Sequence, residues 1–321
     1  MHLLIPFAAP LSEAGRQAAA SLVLPRLQSL LARCTEVQRD SADEWSFSPP
    51  HERALALALG WRGPAGLLPW AARAAQADGI TTADLAWGLM TPAHWHLGTE
   101  QVSLIDPAGL MLDEPAARAF FDAVAPLFTS EGFAIHYATA QRWYLAHPSL
   151  AGLATASIDR VIGRNVDGWL GKDPAAQRLR RLQAEVQMLL YTHPLNDERA
   201  ARGLLPVNSF WLSGCGVAQA QAEAGAEVGA QAGAQPPPAV DGRLRGPALA
   251  DDWAAWCQAW ETLDAGPLAA LLARAEAGQP AALTLCGERA WARFEAAPRS
   301  VMKRLRGLWT RSAPATLLET L

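Results

Sequence analysis

The stretch "YTHPLNDERAARGLLPVNSFWLSGCG", Tyr191 to Gly216, breaks with the alanine-rich chain around it. A long helical pattern reaches it and must stop at His193-Pro194, because proline disfavours helical backbone in the residue before it. Asn196 is then expected to cap a short new helix, with Asp197 and Glu198 in its first turn, Arg202 in its last and Gly203 just beyond. "VNSFWLSG" follows as a strand, with Asn208, Phe210 and Leu212 on one face and Val207, Ser209 and Trp211 on the other. An amide on an apolar face costs roughly 1 to 3 kcal/mol unless it is hydrogen-bonded, so Asn208 needs a partner, backbone or ligand. "SGCG" reads as a tight turn; its N–H groups could cup an anion, and an ordinary turn is the simpler reading. Helix, turn, helix and strand in so few residues is α/β punctuation.

The same alternation extends outward. "HLLIPFA" near the start is a buried-strand pattern, and helical patterns follow at Ala18 to Ala32, interrupted by Pro25, and at Glu52 to Leu59. Ala86 to Ile105 suggests strands, and "DEPAARAFFDAVAPLF" a helix capped by Asp113. "GFAIHYATAQRWYLAH" reads as a hairpin, and "KDPAAQRLRRLQAEVQMLLYT" as a long helix with Asp173 as its cap. Val217 to Gly242 is a low-complexity Ala/Gln/Gly stretch closed by prolines, expected as a linker. Beyond it come a helix with Trp253, Trp256 and Trp260 on one face, a second helix, and strands at "ALTLCGE" and "AWARFEA". This order predicts an α/β protein with a mixed or parallel sheet flanked by helices.

Composition narrows the function classes. Hydrophobic residues at 50% and charged residues at 18% place the 321-residue chain among globular proteins of two domains or one large one. A net charge of -4 gives no general attraction to nucleic acid or to an anionic membrane, so an anion would have to be held by a local basic cluster. No apolar run approaches the roughly 20 residues that span a bilayer. Cys34, Cys215, Cys257 and Cys286 form no C-x-x-C pair, and the apolar start is broken by Pro6 and Pro10, so the expectation is a cytoplasmic protein without a signal peptide.

Three further clusters carry possible chemistry. In "TASIDRVIGRNVDGW", Arg160 and Arg164 share a face whether the segment is helical or extended, which suits a phosphate or carboxylate clamp or pairing with Asp159 and Asp167. His94 and His96 in "HWH" are a possible metal pair, though without a nearby acid or thiol they read as structural histidines. "RSVMKRLRGLWTR" near the end is a basic amphipathic helix, a surface for a membrane or an acidic partner, or more simply a solvated face.

On these residues, "HPLNDERAARGLLPVNSFWLSGCG" resembles a stretch of archaeal-type cofactor-independent phosphoglycerate mutases of the alkaline-phosphatase superfamily. With "EGFAIHYATAQRWYLAHPSL" and "TASIDRVIGRNVDGWL" added, the chain is similar to a bacterial offshoot of that family, the RpfE-type regulatory proteins. The resemblance implies an alkaline-phosphatase-like fold, with core halves at 1–105 and 243–321, an inserted substrate-handling subdomain at 106–216 and a linker at 217–242. The match picks out His193, Asn196, Arg199 and Asn208, and it implies that Arg199 and Asn208 help to hold a phosphorylated or carboxylated small molecule; with the Arg160 and Arg164 pair read from its spacing, these six are the candidate ligand-binding residues.

Family members carry an Asp-Gly motif on the first strand, a serine nucleophile, and later Asp and His ligands for two divalent metals. Here the first strand reads "LLIPFAAP" and the late strand "LTLCGE", with Cys286 and Gly287 in the corresponding places. Two-metal phosphoryl transfer needs those ligands. The resulting expectation is a mutase-like ligand-binding or regulatory protein with no metal cofactor. The alternatives are an active mutase using Mn or Mg with a nucleophile among Thr155, Ser157 and Ser209, and an interaction protein using the basic C-terminal helix.

Overall fold

The computed structural model describes residues 1–171, 174–220, 236–296 and 314–321. Its principal elements begin with β1 (His2–Ile5), α1 (Glu13–Ser21), α2 (Pro25–Leu31), β2 (Cys34–Ser41), α3 (Pro50–Ala58) and α4 (Trp70–Ala77). They continue with β3 (Ala86–Ala93), β4 (Trp95–Leu97), β5 (Val102–Leu104), α5 (Glu114–Ser130), β6 (Ala134–Thr139) and β7 (Arg142–Ala146). After these come α6 (Ile158–Val161), α7 (Pro174–Tyr191), α8 (Pro194–Ala201), β8 (Ser209–Val217) and β9 (Ala239–Val240). The last are α9 (Arg245–Leu249), α10 (Trp253–Leu263), α11 (Ala269–Glu276), β10 (Ala282–Cys286) and β11 (Ala290–Ala296). Among the described residues no helix is long and apolar enough to cross a membrane.

The chain divides into two compact units, residues 1–44, 49–60 and 221–321 in the first and 45–48 with 61–220 in the second. The first unit is built on a mixed sheet in the order β2-β11-β10-β1-β9, with β1 parallel to β10 and β9, and β11 antiparallel to both β10 and β2. All four residues of β1 are buried, as a strand covered on both faces requires. Leu3 and Ile5 pack with Leu27 and Leu30 of α2, Trp256 and Trp260 of α10 and Leu271 of α11. Leu4 turns the other way, toward Ala54 of α3, Cys286 and Trp291. The tryptophan spacing of α10 buries two indoles along one stripe, and Asp252 caps that helix by accepting from the Ala255 amide at 2.9 Å.

Helix α2 is capped from a distance. Pro25 occupies its first turn and Leu24 has no side chain able to accept, so buried Asp264 takes the Arg26 and Leu27 amides at 3.2 and 2.8 Å. Asp264 itself sits in the π-helical segment Asp264–Leu268 that joins α10 to α11.

The second unit holds an antiparallel sheet in the order β6-β7-β3-β8. One face is covered by α5 and α7, whose Phe120, Val124, Phe128, Leu182, Val186 and Leu190 pack with Met90, Trp143, Leu145 and Phe210. The other face receives Ala71, Ala72 and Ala75 of α4 against Trp87, Tyr144 and Ala146. Asp113 caps α5 as its sequence position predicts, accepting from the Ala116 amide at 2.9 Å.

Several expectations change here. The expected division puts residues 61–105 with the core halves, yet β3 lies in the second unit, because both of its edges are hydrogen-bonded, to β7 and to β8. Of the expected linker 217–242, residues 221–235 lie outside the described residues, while Val217 ends β8 and Ala239–Val240 pair in parallel with Leu3 and Leu4. The expected cap Asp173 and the basic segment 299–311 also lie outside the described residues. "SGCG" is not a turn: it continues β8, whose pairing with β3 shifts register between Trp87 and Leu89. Gly214 takes φ +64 there, and a Cβ on it would meet the Ala71 amide nitrogen and Trp70 Cβ at 2.9 Å, so the strand can lie against α4 only with glycine.

Candidate functional site

Two places in the molecule bear on function, each within one unit. In the second unit the polar stretch after α7 is laced to backbone. His193, extended at φ -76 and ψ 127 ahead of Pro194, is the residue that caps α8, its Nδ1 accepting from the Leu195 amide at 3.3 Å. Asn196, expected as the cap, lies inside the helix, because Pro194 takes the first helical position. Its buried amide donates to the Leu190 and Val207 carbonyls, each at 2.8 Å, and accepts from the Val207 N–H at 2.9 Å. One side chain thereby ties the end of α7, α8 and the approach to β8. Arg202, expected in the last turn, caps the helix just past its end while Arg199 holds the last-turn position, and Gly203 follows as expected at φ +70.

Arg199 is 4% exposed, and its Nε donates to the Leu205 carbonyl at 2.9 Å and its Nη2 to the Leu110 carbonyl. Burial lowers the pKa of this guanidinium. Asn208 pairs with the main chain of Trp95, accepting from its N–H at 2.7 Å and donating to its carbonyl at 2.9 Å. His94 completes the lacing with a ring nitrogen 2.9 Å from the Pro206 carbonyl. Asn196, Arg199 and Asn208 thus converge on residues 205–208 and their neighbours. Arg160 and Arg164 belong to another segment. Helix α6 ends at Val161, and Gly163 at φ +75 redirects the chain, so the i,i+4 relation between the two arginines is not kept. Arg160 is buried at 3% exposure, whereas Arg164 stands with its guanidinium carbon 5.9 Å from the Trp169 ring centre.

The expected nucleophiles are enclosed as well. Ser209 and Ser157 are 1% and 6% exposed, and the hydroxyl oxygen of Thr155 accepts from the Cys215 amide at 3.2 Å.

In the first unit the carboxyl ends of the parallel strands β1 and β10 stand side by side, the position where open α/β sheets place ligands. The chain leaving β1 is pinned there: the Ala8 N–H donates to the Cys286 carbonyl at 2.7 Å. Phe7 takes φ +56, a left-handed conformation unusual for a bulky residue, and its ring centre lies 5.3 Å from that of His51. Its carbonyl accepts from Trp256 Nε1 at 3.0 Å. Gly287 has no room for a side chain, since a Cβ would come within 2.5 Å of the Leu321 carbonyl carbon. Leu321 is held by its carbonyl, which accepts from the Arg289 and Ala290 amides.

Mn and Mg call for hard oxygen ligands. The residues at these strand ends are Pro6, Phe7, Cys286 and Gly287, and burial pushes the Cys286 thiol well above its ordinary value, keeping it protonated. These residues do not fit a divalent metal of that kind. Among the described residues no group of three or more His, Cys, Asp or Glu is placed to hold one.

Sequence reading missed three features: the cap that Asp264 provides, the pairing of buried His2 with Thr284 at 2.8 Å across β1 and β10, and the apolar cavity beside Trp169. The only signal for the first was the missing cap at Leu24-Pro25.

No protein-family model matches this chain, and no curated protein matches it. Among solved structures it is similar to a cofactor-independent phosphoglycerate mutase from Thermoplasma acidophilum, at 16% identity over 92% of this chain and 89% of that one, with a TM-score of 0.37. It is also similar to the PH0037 protein from Pyrococcus horikoshii, at 12% identity over 92% and 87% of the chains, with a TM-score of 0.44.

Proposed function

We propose that this chain is a phosphoglycerate-mutase-like protein that binds a ligand or a partner in a regulatory role and does not carry out metal-dependent phosphoryl transfer. The observation that supports this most is the pair of strand ends in the first unit. Where the family resemblance places Asp and His ligands, this chain has a backbone hydrogen bond from Ala8 to Cys286, an aromatic side chain at Phe7 and a glycine packed against Leu321. Phosphoryl transfer is catalysed almost entirely by positioning and by cations that neutralise developing charge. Pro6, Phe7, Cys286 and Gly287 supply neither, and the nearest carboxylates are engaged, Asp241 with Arg243 at 2.8 Å and Glu288 with the Leu11 amide at 2.8 Å.

The test is thermal unfolding of the full chain with and without Mn, and with 3-phosphoglycerate added to each, alongside an assay for interconversion of 3- and 2-phosphoglycerate. A ligand that binds only the folded state raises the midpoint by mass action. The reading expects no turnover and no shift that requires metal. A rise with 3-phosphoglycerate alone identifies a phosphorylated or carboxylated ligand, whereas turnover that depends on Mn overturns the reading.

A further inference from the structure

His94 and His96 take no part in the proposed function. His94 follows β3 in the second unit, and Trp95 and His96 open β4. Strand alternation sends the indole of Trp95 to Trp211, 6.2 Å between ring centres, and leaves the two imidazoles beside each other at 6.3 Å. The remaining histidines have other neighbours: His2 has Thr284, His51 Phe7, His136 Trp87, His147 Phe133 and His193 Phe120.

The backbone that carries this pair is held on both edges. Trp95 pairs with Leu104 of β5, and the Asn208 side chain meets the N–H and carbonyl of Trp95 at 2.7 and 2.9 Å. His94 is oriented further by the Pro206 carbonyl, 2.9 Å from its Nδ1. A carbonyl can only accept, so in the neutral ring Nδ1 carries the proton and Nε2 the lone pair. This is the arrangement that orients metal-bound histidines. Nε2 of His94 makes no hydrogen bond among the described residues and is not enclosed, and the exposed ring of His96 makes none either. Satisfying buried backbone thus accounts for one nitrogen of His94 and for nothing of His96.

We propose that His94 and His96 together bind one zinc-like divalent ion through imidazole nitrogen, Nε2 on His94, with water in the remaining positions. Imidazole is a ligand suited to Zn, Ni and Cu. Two imidazoles that share an ion about 2.1 Å from each nitrogen have ring centres about 5 Å apart, so a small turn of the exposed His96 completes the pair. Two protein ligands are fewer than catalytic and structural zinc sites use, so the affinity is expected in the micromolar range. The site is independent of the strand ends of the first unit, where the functional reading turns on Mn, the weakest binder of the divalent series.

The experiment is calorimetric titration of the full chain with Zn and separately with Mn, alongside long-range 1H–15N spectra of the chain labelled with 15N-histidine. One equivalent of Zn should bind. His94 Nε2 and one ring nitrogen of His96 should shift together, while the other five of the seven histidines keep their positions. His96→Ala, at an exposed position, should weaken binding at least about tenfold and leave the thermal midpoint of the metal-free chain unchanged, since the second imidazole acts as an intramolecular ligand. His94→Gln, which retains an N–H for the Pro206 carbonyl, should weaken binding to the same extent, and His96→Ala alone decides if this variant does not fold. The proposal is overturned if Zn shifts other histidines instead, if His96→Ala binds Zn as tightly as the parent chain, or if Mn binds as tightly as Zn. None of these outcomes involves 3-phosphoglycerate or its turnover, so the metal site and the functional reading fail separately.

Discussion

The polar stretch after α7 and the ends of β1 and β10 make an instructive pair. The first is rich in residues that usually do chemistry, yet the amides of Asn196 and Asn208 and the guanidinium of Arg199 each meet main-chain groups of their own unit. The second occupies the place where an α/β sheet ordinarily offers its site, and it is filled by Phe7, Cys286, Gly287 and Leu321. Chemical character in a sequence therefore marks where polar groups are needed. It does not separate the need to satisfy a buried backbone from the need to hold a ligand, since both are met by the same donors.

This contrast is open to attack. The largest effect is expected at Arg199. Arg199→Ala removes the donors to the Leu110 and Leu205 carbonyls and leaves a void, which should cost about 4 kcal/mol in urea unfolding. If Arg199 instead served a ligand alone, stability would change little.

Next is His2, whose ring nitrogen Nε2 lies 2.8 Å from Thr284 and whose pKa burial lowers to about 4 from 6.5, with help from the charge of Arg293. The unfolded chain takes up this proton as pH falls through 6.5 and the folded chain does so only near 4. Stability should therefore drop by up to about 3 kcal/mol between those values and level off below. His2→Gln should remove that part of the pH dependence in unfolding measured from pH 7 to pH 4. An unchanged profile would place the ring in water.

Asp264→Ala should cost about 2 kcal/mol, since it strips the cap from α2 and leaves two amides of that helix without their acceptor. Native-state hydrogen exchange should show the loss as faster exchange at Arg26 and Leu27. The smallest effect is expected at Asn208→Ala, about 1.5 kcal/mol, because Trp95 is only part-buried and water can replace some of what the amide supplies. Loss of affinity for 3-phosphoglycerate in this variant, with stability unchanged, would restore Asn208 to a binding role and reverse the contrast for that residue.

Much of the architecture was legible in the sequence because it is written in local patterns. Pro25 splits the early helical pattern into α1 and α2, Asp113 caps α5, and the Trp253, Trp256 and Trp260 spacing gives α10 its buried stripe. The strand assignments at β1, β3, β10 and β11 follow from short apolar runs of the right length. Local pattern misled where two devices look alike. His193 and Asn196 are both able to cap a helix, and the restriction that Pro194 places on its predecessor gives the role to His193. "SGCG" has turn composition, and its glycines are needed because a helix lies against the strand.

By itself, then, the sequence determined many of the helix and strand segments, the cap that Asp113 gives α5, and that the chain is α/β, since each follows from interactions among residues a few positions apart. Tertiary structure alone decided that β3 joins β7 and β8, that Asp264 caps a helix 237 residues away in sequence, and that Arg199 spends its guanidinium on a carbonyl 89 residues distant. A hydrogen bond is specified by the position of both partners. Periodicity places only one of them, and the partner is known only once folding has brought the two together.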